Sequence, residues 1–172
     1  MTSRKFFTLF IACALVPLLA AKVSLAMGWF SHSSINKGEW LERDIQLLPV
    51  ASSTAAHWRL VYVRAADCNQ ECEQALHTLQ QLYTGLGRKQ INLEPLFLAS
   101  TQRVGLTQFP AVNLLVGSQS QPELENQIVI VNQNGLVLLR YSVFADVEQM
   151  KNIAKDIRAD LLRLMNYDRS DV

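Results

Sequence analysis

Hydrophobic and polar positions divide the chain into stretches of different period. Phe6 to Ala21 is apolar almost throughout, Lys22 interrupts, and Val23 to Phe30 continues the apolar character. Trp58 to Arg64 is a compact run rich in β-formers, as a buried central strand should be. After the break Ala65-Ala66-Asp67 the period changes. Cys72, Leu76, Leu79 and Tyr83 fall at i, i+4, i+7 and i+11, one face of an α-helix. That helix should end near Thr84-Gly85-Leu86-Gly87, where glycine supplies the C-cap. Ile91 to Ala99 reads as a second strand, and the intervening helix makes the two strands parallel. Ser100 to Gln121 is left unassigned: Phe109-Pro110 marks a turn, and Val112 to Val116 suits a helix or a strand. Ile128 to Val131 and Leu136 to Tyr141 flank Asn134-Gly135, the strongest short hairpin signal. Asp146, with Gln149 three residues on, resembles a capping box. It opens a last helix striped by Val147, Met150, Ile153, Ala154, Ile157, Leu161 and Leu164.

The order is β-α-β, an unassigned connection, a β-hairpin and a final helix. An α/β fold with a central sheet and helices on its faces accounts for it, the thioredoxin-like arrangement. The implied organisation is a cytoplasmic tail over 1–5, a transmembrane anchor over 6–30 and a linker with the approach to the domain over 31–56. The thioredoxin-like domain follows over 57–166, with a flexible tail over 167–172. Asn36 to Leu41 followed by Pro49 predicts an extended or hairpin-like approach.

Two readings of the N-terminal segment compete. Ser24-Leu25-Ala26 is an acceptable site for cleavage of a signal peptide. Length favours an uncleaved anchor, because Phe6 to Phe30 exceeds the roughly 20 residues that span a bilayer. Arg4 and Lys5 then stay in the cytoplasm and everything after Phe30 lies outside. Lys22 can snorkel to the outer interface, where Trp29 and Phe30 suit an aromatic belt. Cys13, inside this segment, reads as a small apolar filler.

The formal charge of +1 and the lack of a basic run after the anchor give no sign of nucleic acid. No phosphate-cradling glycine loop, Ser–His–acid arrangement or zinc-type histidine cluster occurs. What remains is Cys68 and Cys72, between the first strand and its helix. Four residues apart at a helix start, their Cα atoms lie roughly 6 Å apart, within the range of a disulfide. The same separation lets two thiolates grip one soft ion. Cys68, at or before the first turn, is placed where the helix dipole favours a thiolate; Cys72 continues the apolar stripe and should be the more buried. Asp67 is the expected cap of the helix, with Glu71 and Glu73 complementing its dipole while opposing a thiolate.

Anchor, glycine-containing approach, strand, Cys-x-x-x-Cys, helix and the hairpin run Ile-Val-Ile-Val-Asn-Gln-Asn-Gly together resemble the Sco family. Those are membrane-anchored thioredoxin-fold proteins that assist copper-centre assembly in cytochrome c oxidase. The resemblance covers Asn36 to Leu164 in order of elements; its specific part is Cys68, Cys72 and the hairpin. It implies an inner-membrane, single-pass protein with its domain in the periplasm, and oxidase subunits or other assembly factors as partners. It also implies copper as the metal, held as Cu(I) by Cys68 and Cys72. The chain departs from the family at the third ligand, a histidine placed just before the hairpin. Glu125-Asn126-Gln127 stands there, and no histidine follows His77. The proline that follows the first motif cysteine in many Sco proteins is replaced by Asn69. His77, His57 and His32 read as surface or loop residues.

Three readings of the cysteine pair stay open: thiol–disulfide exchange, transient Cu(I) binding, and a structural or vestigial disulfide. The last belongs with a non-catalytic, membrane-tethered scaffold, which would survive loss of both cysteines.

Overall fold

A computed structural model of the chain describes residues 3–26, 36–51, 56–64, 67–100, 106–117 and 121–167. They form two compact units, Met1–Ile35 and Asn36–Val172. The first contains one helix, α1 (Ser3–Ala26), with Pro17 inside it. Phe7, Phe10, Val16, Leu18 and Leu19 on it are exposed. Among the described residues no helix is long and apolar enough to cross a membrane. The anchor expected over 6–30 is therefore met only as a helix that ends at Ala26, and 27–30 lie outside the described residues.

The second unit is built on a six-stranded sheet, from β1 (Glu39–Trp40) to β6 (Val137–Ser142). β2 (Trp58–Arg64), α2 (Gln70–Gly85) and β3 (Leu93–Ala99) form the expected unit, with β2 and β3 parallel from Trp58–Leu93 to Arg64–Ala99. α2 ends with Leu86 as its cap and Gly87 at φ +55°, the left-handed residue that glycine tolerates just past a helix. The unassigned connection contributes β4 (Asn113–Val116), a parallel edge strand on β3. β5 (Gln127–Val131) and β6 form the expected hairpin across Asn134-Gly135. α3 (Val147–Tyr167) closes the unit, and Asp146 caps it by accepting from the Gln149 N–H at 2.8 Å. The strands lie in the order β1-β6-β5-β2-β3-β4.

Strand alternation makes two apolar faces. Leu60, Tyr62, Phe97, Ile128, Ile130, Leu139 and Tyr141 join one core with the buried stripes of α2 and α3. Val61, Val63, Leu96, Leu98, Val129, Val131 and Val137 join the other with Ile45, Leu47, Leu48 and Leu124. Helices on both faces were the expectation; both helices instead lie on one face, and the approach segment covers the second. The physical reason is the sheet itself, whose central strands are apolar on both sides and need cover on both. Within 41–51, Ile45, Leu47 and Leu48 supply it.

That cover is pinned by backbone. The Leu47 and Leu48 N–H groups donate to the Gly135 carbonyl at 2.9 and 3.3 Å, and Val137 N–H donates to the Ile45 carbonyl at 2.9 Å. Arg59, buried within β2, donates from Nη1 to the Pro49 carbonyl and from Nη2 to the Asn132 carbonyl, at 2.9 and 2.8 Å. At the other end of the segment, the fully buried Asp160 of α3 accepts from the Lys37 and Gly38 N–H groups at 2.6 and 2.8 Å. It also accepts from the Tyr141 hydroxyl at 2.9 Å and from Arg163 at 3.2 Å.

Two predictions follow from these clamps. Gly135 has φ +86°, and a Cβ there would lie 1.8 Å from the Leu48 carbonyl oxygen. Gly135→Ala should cost about 3 kcal/mol or more and lower Tm by on the order of 10 °C. Gly85→Ala, which meets nothing within 4 Å, should leave Tm unchanged or slightly raised. Burial, then the contact with Asp160, pushes the Tyr141 hydroxyl far above its ordinary value. A raised folded pKa favours the neutral form, so its contribution is complete below about pH 10 and is lost as pH rises above that. Urea titrations from pH 8 to 11.5 should show a shallower alkaline loss in Tyr141→Phe than in the wild type, from a lower starting stability.

Candidate redox site

The apolar pattern of β2 stops at Arg64, the last residue of the strand, and α2 begins at Gln70. Asn69 is the N-cap, with extended backbone at φ −108° and a side-chain oxygen that accepts the Cys72 N–H at 3.2 Å. Asp67 was the expected cap, but the helix starts at Gln70 and leaves Asp67 too far upstream to reach its first N–H groups. Its carbonyl instead accepts from Arg64 Nε at 3.2 Å. Cys68 thus lies just outside the helix and Cys72 in its first turn, flanked by Glu71 and Glu73.

The two sulfurs are joined as a disulfide with a Cα separation of 5.1 Å. Cys72 is fully buried, at 0% exposure, whereas Cys68 is partly exposed and packs against the rim of the same core. The expected order of burial is what the structure has. Cys13 is an exposed free cysteine on α1.

A polar network, not anticipated from the sequence, lies beside the pair. Asn126, in the two residues before β5, has φ +57°, the one positive φ outside glycine among the described residues. Its N–H donates to the Val63 carbonyl at 2.9 Å. Its side-chain oxygen accepts from the Tyr62 hydroxyl at 2.8 Å and from Arg64 Nη1 at 2.9 Å. Its amide nitrogen donates to Glu71 Oε2 at 2.9 Å, while Arg64 and Glu71 themselves stand 3.9 Å apart. Tyr62 is fully buried and stacked on Phe97 with ring centroids 5.5 Å apart; burial pushes its hydroxyl up to about 12. The signals that could have found this group are an arginine closing an apolar strand and an asparagine just before the hairpin.

Asn126 falls where the Sco resemblance would place a third copper ligand, and its amide is committed to protein partners at both ends. Among the described residues no group of three or more His, Cys, Asp or Glu could hold a metal ion. His77 is exposed in a groove of about 580 Å³ that Glu73, Phe109 and Lys151 also line. His57 is exposed ahead of β2, and His32 lies outside the described residues. Among the described residues, the donors held together that could take copper are the two cysteine sulfurs after reduction, a soft set that suits Cu(I).

Comparison with curated protein sequences finds no match. Among solved structures, apo Sco1 from Thermus thermophilus matches with a TM-score of 0.52 at 17% identity, over 75% of this chain and 96% of its own. Copper-bound ScoI from Bradyrhizobium japonicum matches at 0.42 and 14% identity, over 62% and 87%. Yeast Sco1 matches at 0.42 and 16% identity, over 62% and 83%. At such identities the likeness is one of fold. A family described as "Transmembrane-like, thioredoxin-like, C-terminal domain" matches residues 58–165, the stretch from the first strand of the β-α-β unit to the last turns of α3. The chain belongs to that family, and its domain is a Sco-like thioredoxin fold.

Proposed function

We propose that this protein is a membrane-tethered thiol–disulfide exchange protein that assists cytochrome c oxidase biogenesis through Cys68 and Cys72. One observation carries the chemistry: a disulfide at the start of α2 whose two cysteines differ in burial, Cys68 partly exposed and Cys72 fully buried in the core. The oxidase assignment rests on the sequence resemblance to Sco proteins.

The reaction balances with the groups present. In the dithiol form the Cys68 thiolate attacks one sulfur of a client disulfide. The client S–S bond breaks, and the departing client thiolate takes a proton from solvent. The Cys72 thiolate then attacks the Cys68 sulfur, forms the Cys68–Cys72 bond and releases the second client thiolate. Two electrons pass to the client, and a dithiol reductant restores the pair. Client cysteines destined to bind copper are kept reduced by this cycle. Burial protects Cys72 from outside attack, which confines its role to resolving the mixed disulfide.

Cu(I) transfer is the second reading, favoured by the two-sulfur donor set. Reduced Cys68 and Cys72 would hold the ion as cargo. The tether proposed is α1, whose exposed Phe7, Phe10, Leu18 and Leu19 suit a lipid environment. The cationic Arg4 and Lys5 favour a cytoplasmic start and a periplasmic domain.

In the reduced protein iodoacetamide should label Cys68 at least tenfold faster than Cys72. The pair should titrate in glutathione or dithiothreitol buffers within the range of redox-active dithiols, about −120 to −270 mV. A couple far below −300 mV, with no Cu(I) bound against a competing chelator, would leave only the scaffold reading. A strain carrying Cys68→Ser with Cys72→Ser should lose oxidase activity, whereas a scaffold would keep it. For the tether, alkaline carbonate should leave the full chain in the membrane pellet and release a chain lacking 1–35; release of both would remove α1 as the anchor.

A further inference from the structure

We infer that Asn126 is a positioning residue for the Cys68–Cys72 couple and makes its disulfide harder to reduce. The inference deepens the exchange reading and rests on it for its meaning in the cell. Its physical content concerns the pair alone.

Cys72 is fixed by α2, capped at Asn69 and buried in the core. Cys68 is held less firmly, because it precedes the helix and is only partly buried against the core. A contact that bears directly on its backbone is the Arg64 Nε donation to the Asp67 carbonyl, which belongs to the peptide unit joined to Cys68. Arg64 is in turn oriented by Asn126 Oδ1, and Asn126 Nδ2 holds Glu71, the residue next to Cys72. One amide therefore ties the end of β2, which carries the Cys68 turn, to the first turn of α2, which carries Cys72. The Asn126 N–H on the Val63 carbonyl and the Tyr62 hydroxyl on Asn126 Oδ1 fix this amide to the sheet. Asparagine tolerates the left-handed backbone found here better than most residues, and its side-chain and backbone contacts are to residues around the cysteines.

In the disulfide the covalent bond itself holds the turn. In the dithiol that constraint is gone, and the network, with the packing of Cys68 on the core, is what remains to hold the segment. Holding two reacting groups at short range raises their effective concentration and so favours ring closure over the open dithiol. Loss of the Asn126 side chain frees the Cys68 turn in the reduced state more than in the oxidised state. The disulfide then becomes easier to reduce. A purely structural role would lower the stability of both states equally and leave the potential unchanged, since the potential reports their difference.

The test uses the full-length protein in detergent, equilibrated in dithiothreitol redox buffers and read by alkylation and mass spectrometry. Asn126→Gly keeps the left-handed backbone and removes the amide; Asn126→Ala removes the amide and adds strain. Asn126→Gly should lower the equilibrium constant for disulfide formation about tenfold, which is about 30 mV toward less negative potential. Arg64→Gln, which keeps some donor capacity at the same place, should fall between it and the wild type. A constant for Asn126→Gly within twofold of the wild type, or one shifted the other way, overturns the inference. Urea unfolding of the oxidised Asn126→Gly protein confirms that the comparison is made on folded material, and should Asn126→Ala fail to fold, the glycine variant decides alone. The two proposals fail separately: a wild-type couple in the range of structural disulfides removes the exchange reading, while the variant-to-wild-type ratio still tests Asn126.

Discussion

β2 is buried along both of its faces, and this constraint organises the rest of the domain. From Trp58 to Val63 every side chain of the strand is buried. A strand in that position needs hydrogen-bonded neighbours on either side, which β3 and β5 provide, and apolar cover above and below. Two helices can cover one face, because each carries a single apolar stripe. The other face is left to 41–51, a segment with little regular structure of its own. Such a segment has to be held by side chains and carbonyls from elsewhere, and three clamps do so: Gly135 on Leu47 and Leu48, Arg59 on Pro49, and Asp160 on Lys37 and Gly38. The buried arginine and the buried aspartate look out of place in a core until their partners are counted. Each satisfies backbone groups that regular structure leaves open, the condition on which a buried charge is tolerated.

The same strand sets the chemistry at its end. Leu60 and Tyr62 face the helices, Val61 and Val63 face the approach segment, and Arg64 is the first residue to leave the core. A guanidinium at that point has five donors and two directions to use them. It takes the Asp67 carbonyl on one side and Asn126 on the other, close to Glu71. The cysteines inherit their geometry from this arrangement. Cys68 sits on a turn braced by Arg64, and Cys72 sits on a helix that cannot move without disturbing the core.

Much of this was legible in the sequence because it is written in periodicity. The β2 run, the α2 stripe, the Asn-Gly hairpin and the Asp146 start all specify their elements within a few residues, and each element appears where the pattern puts it. The unequal burial of the two cysteines follows from the same stripe. Less was legible where position depends on distant partners. β4 is a short exposed edge strand whose pairing to β3 decides its conformation, so Val112 to Val116 alone could not choose. The approach segment reads as extended or hairpin-like, but its role as cover for the sheet was not legible, because Ile45, Leu47 and Leu48 form no stripe long enough to mark a buried face. Asn69 rather than Asp67 caps α2, a difference of two residues that rests on where the helix starts. Asn126 was marked only by its place before the hairpin, and its role was not legible there: it depends on Tyr62 and Arg64 from β2 and on Glu71 from α2 meeting it in space.

Asn126 also bears on the choice between electron transfer and metal transfer. To act toward a metal its amide would have to abandon Tyr62, Arg64 and Glu71, leaving partly buried donors and a carboxylate without their partner. Each unsatisfied group of that kind costs about 1–3 kcal/mol. A third ligand at this place is therefore opposed by the network that orders the turn, and the two functions compete for one position. Cu(I) needs no third ligand, so two thiolates can still carry it. On the proposed reading, a pair that binds Cu(I) only when itself reduced remains subordinate to its own thiol–disulfide equilibrium, which is why exchange is placed ahead of metal transfer.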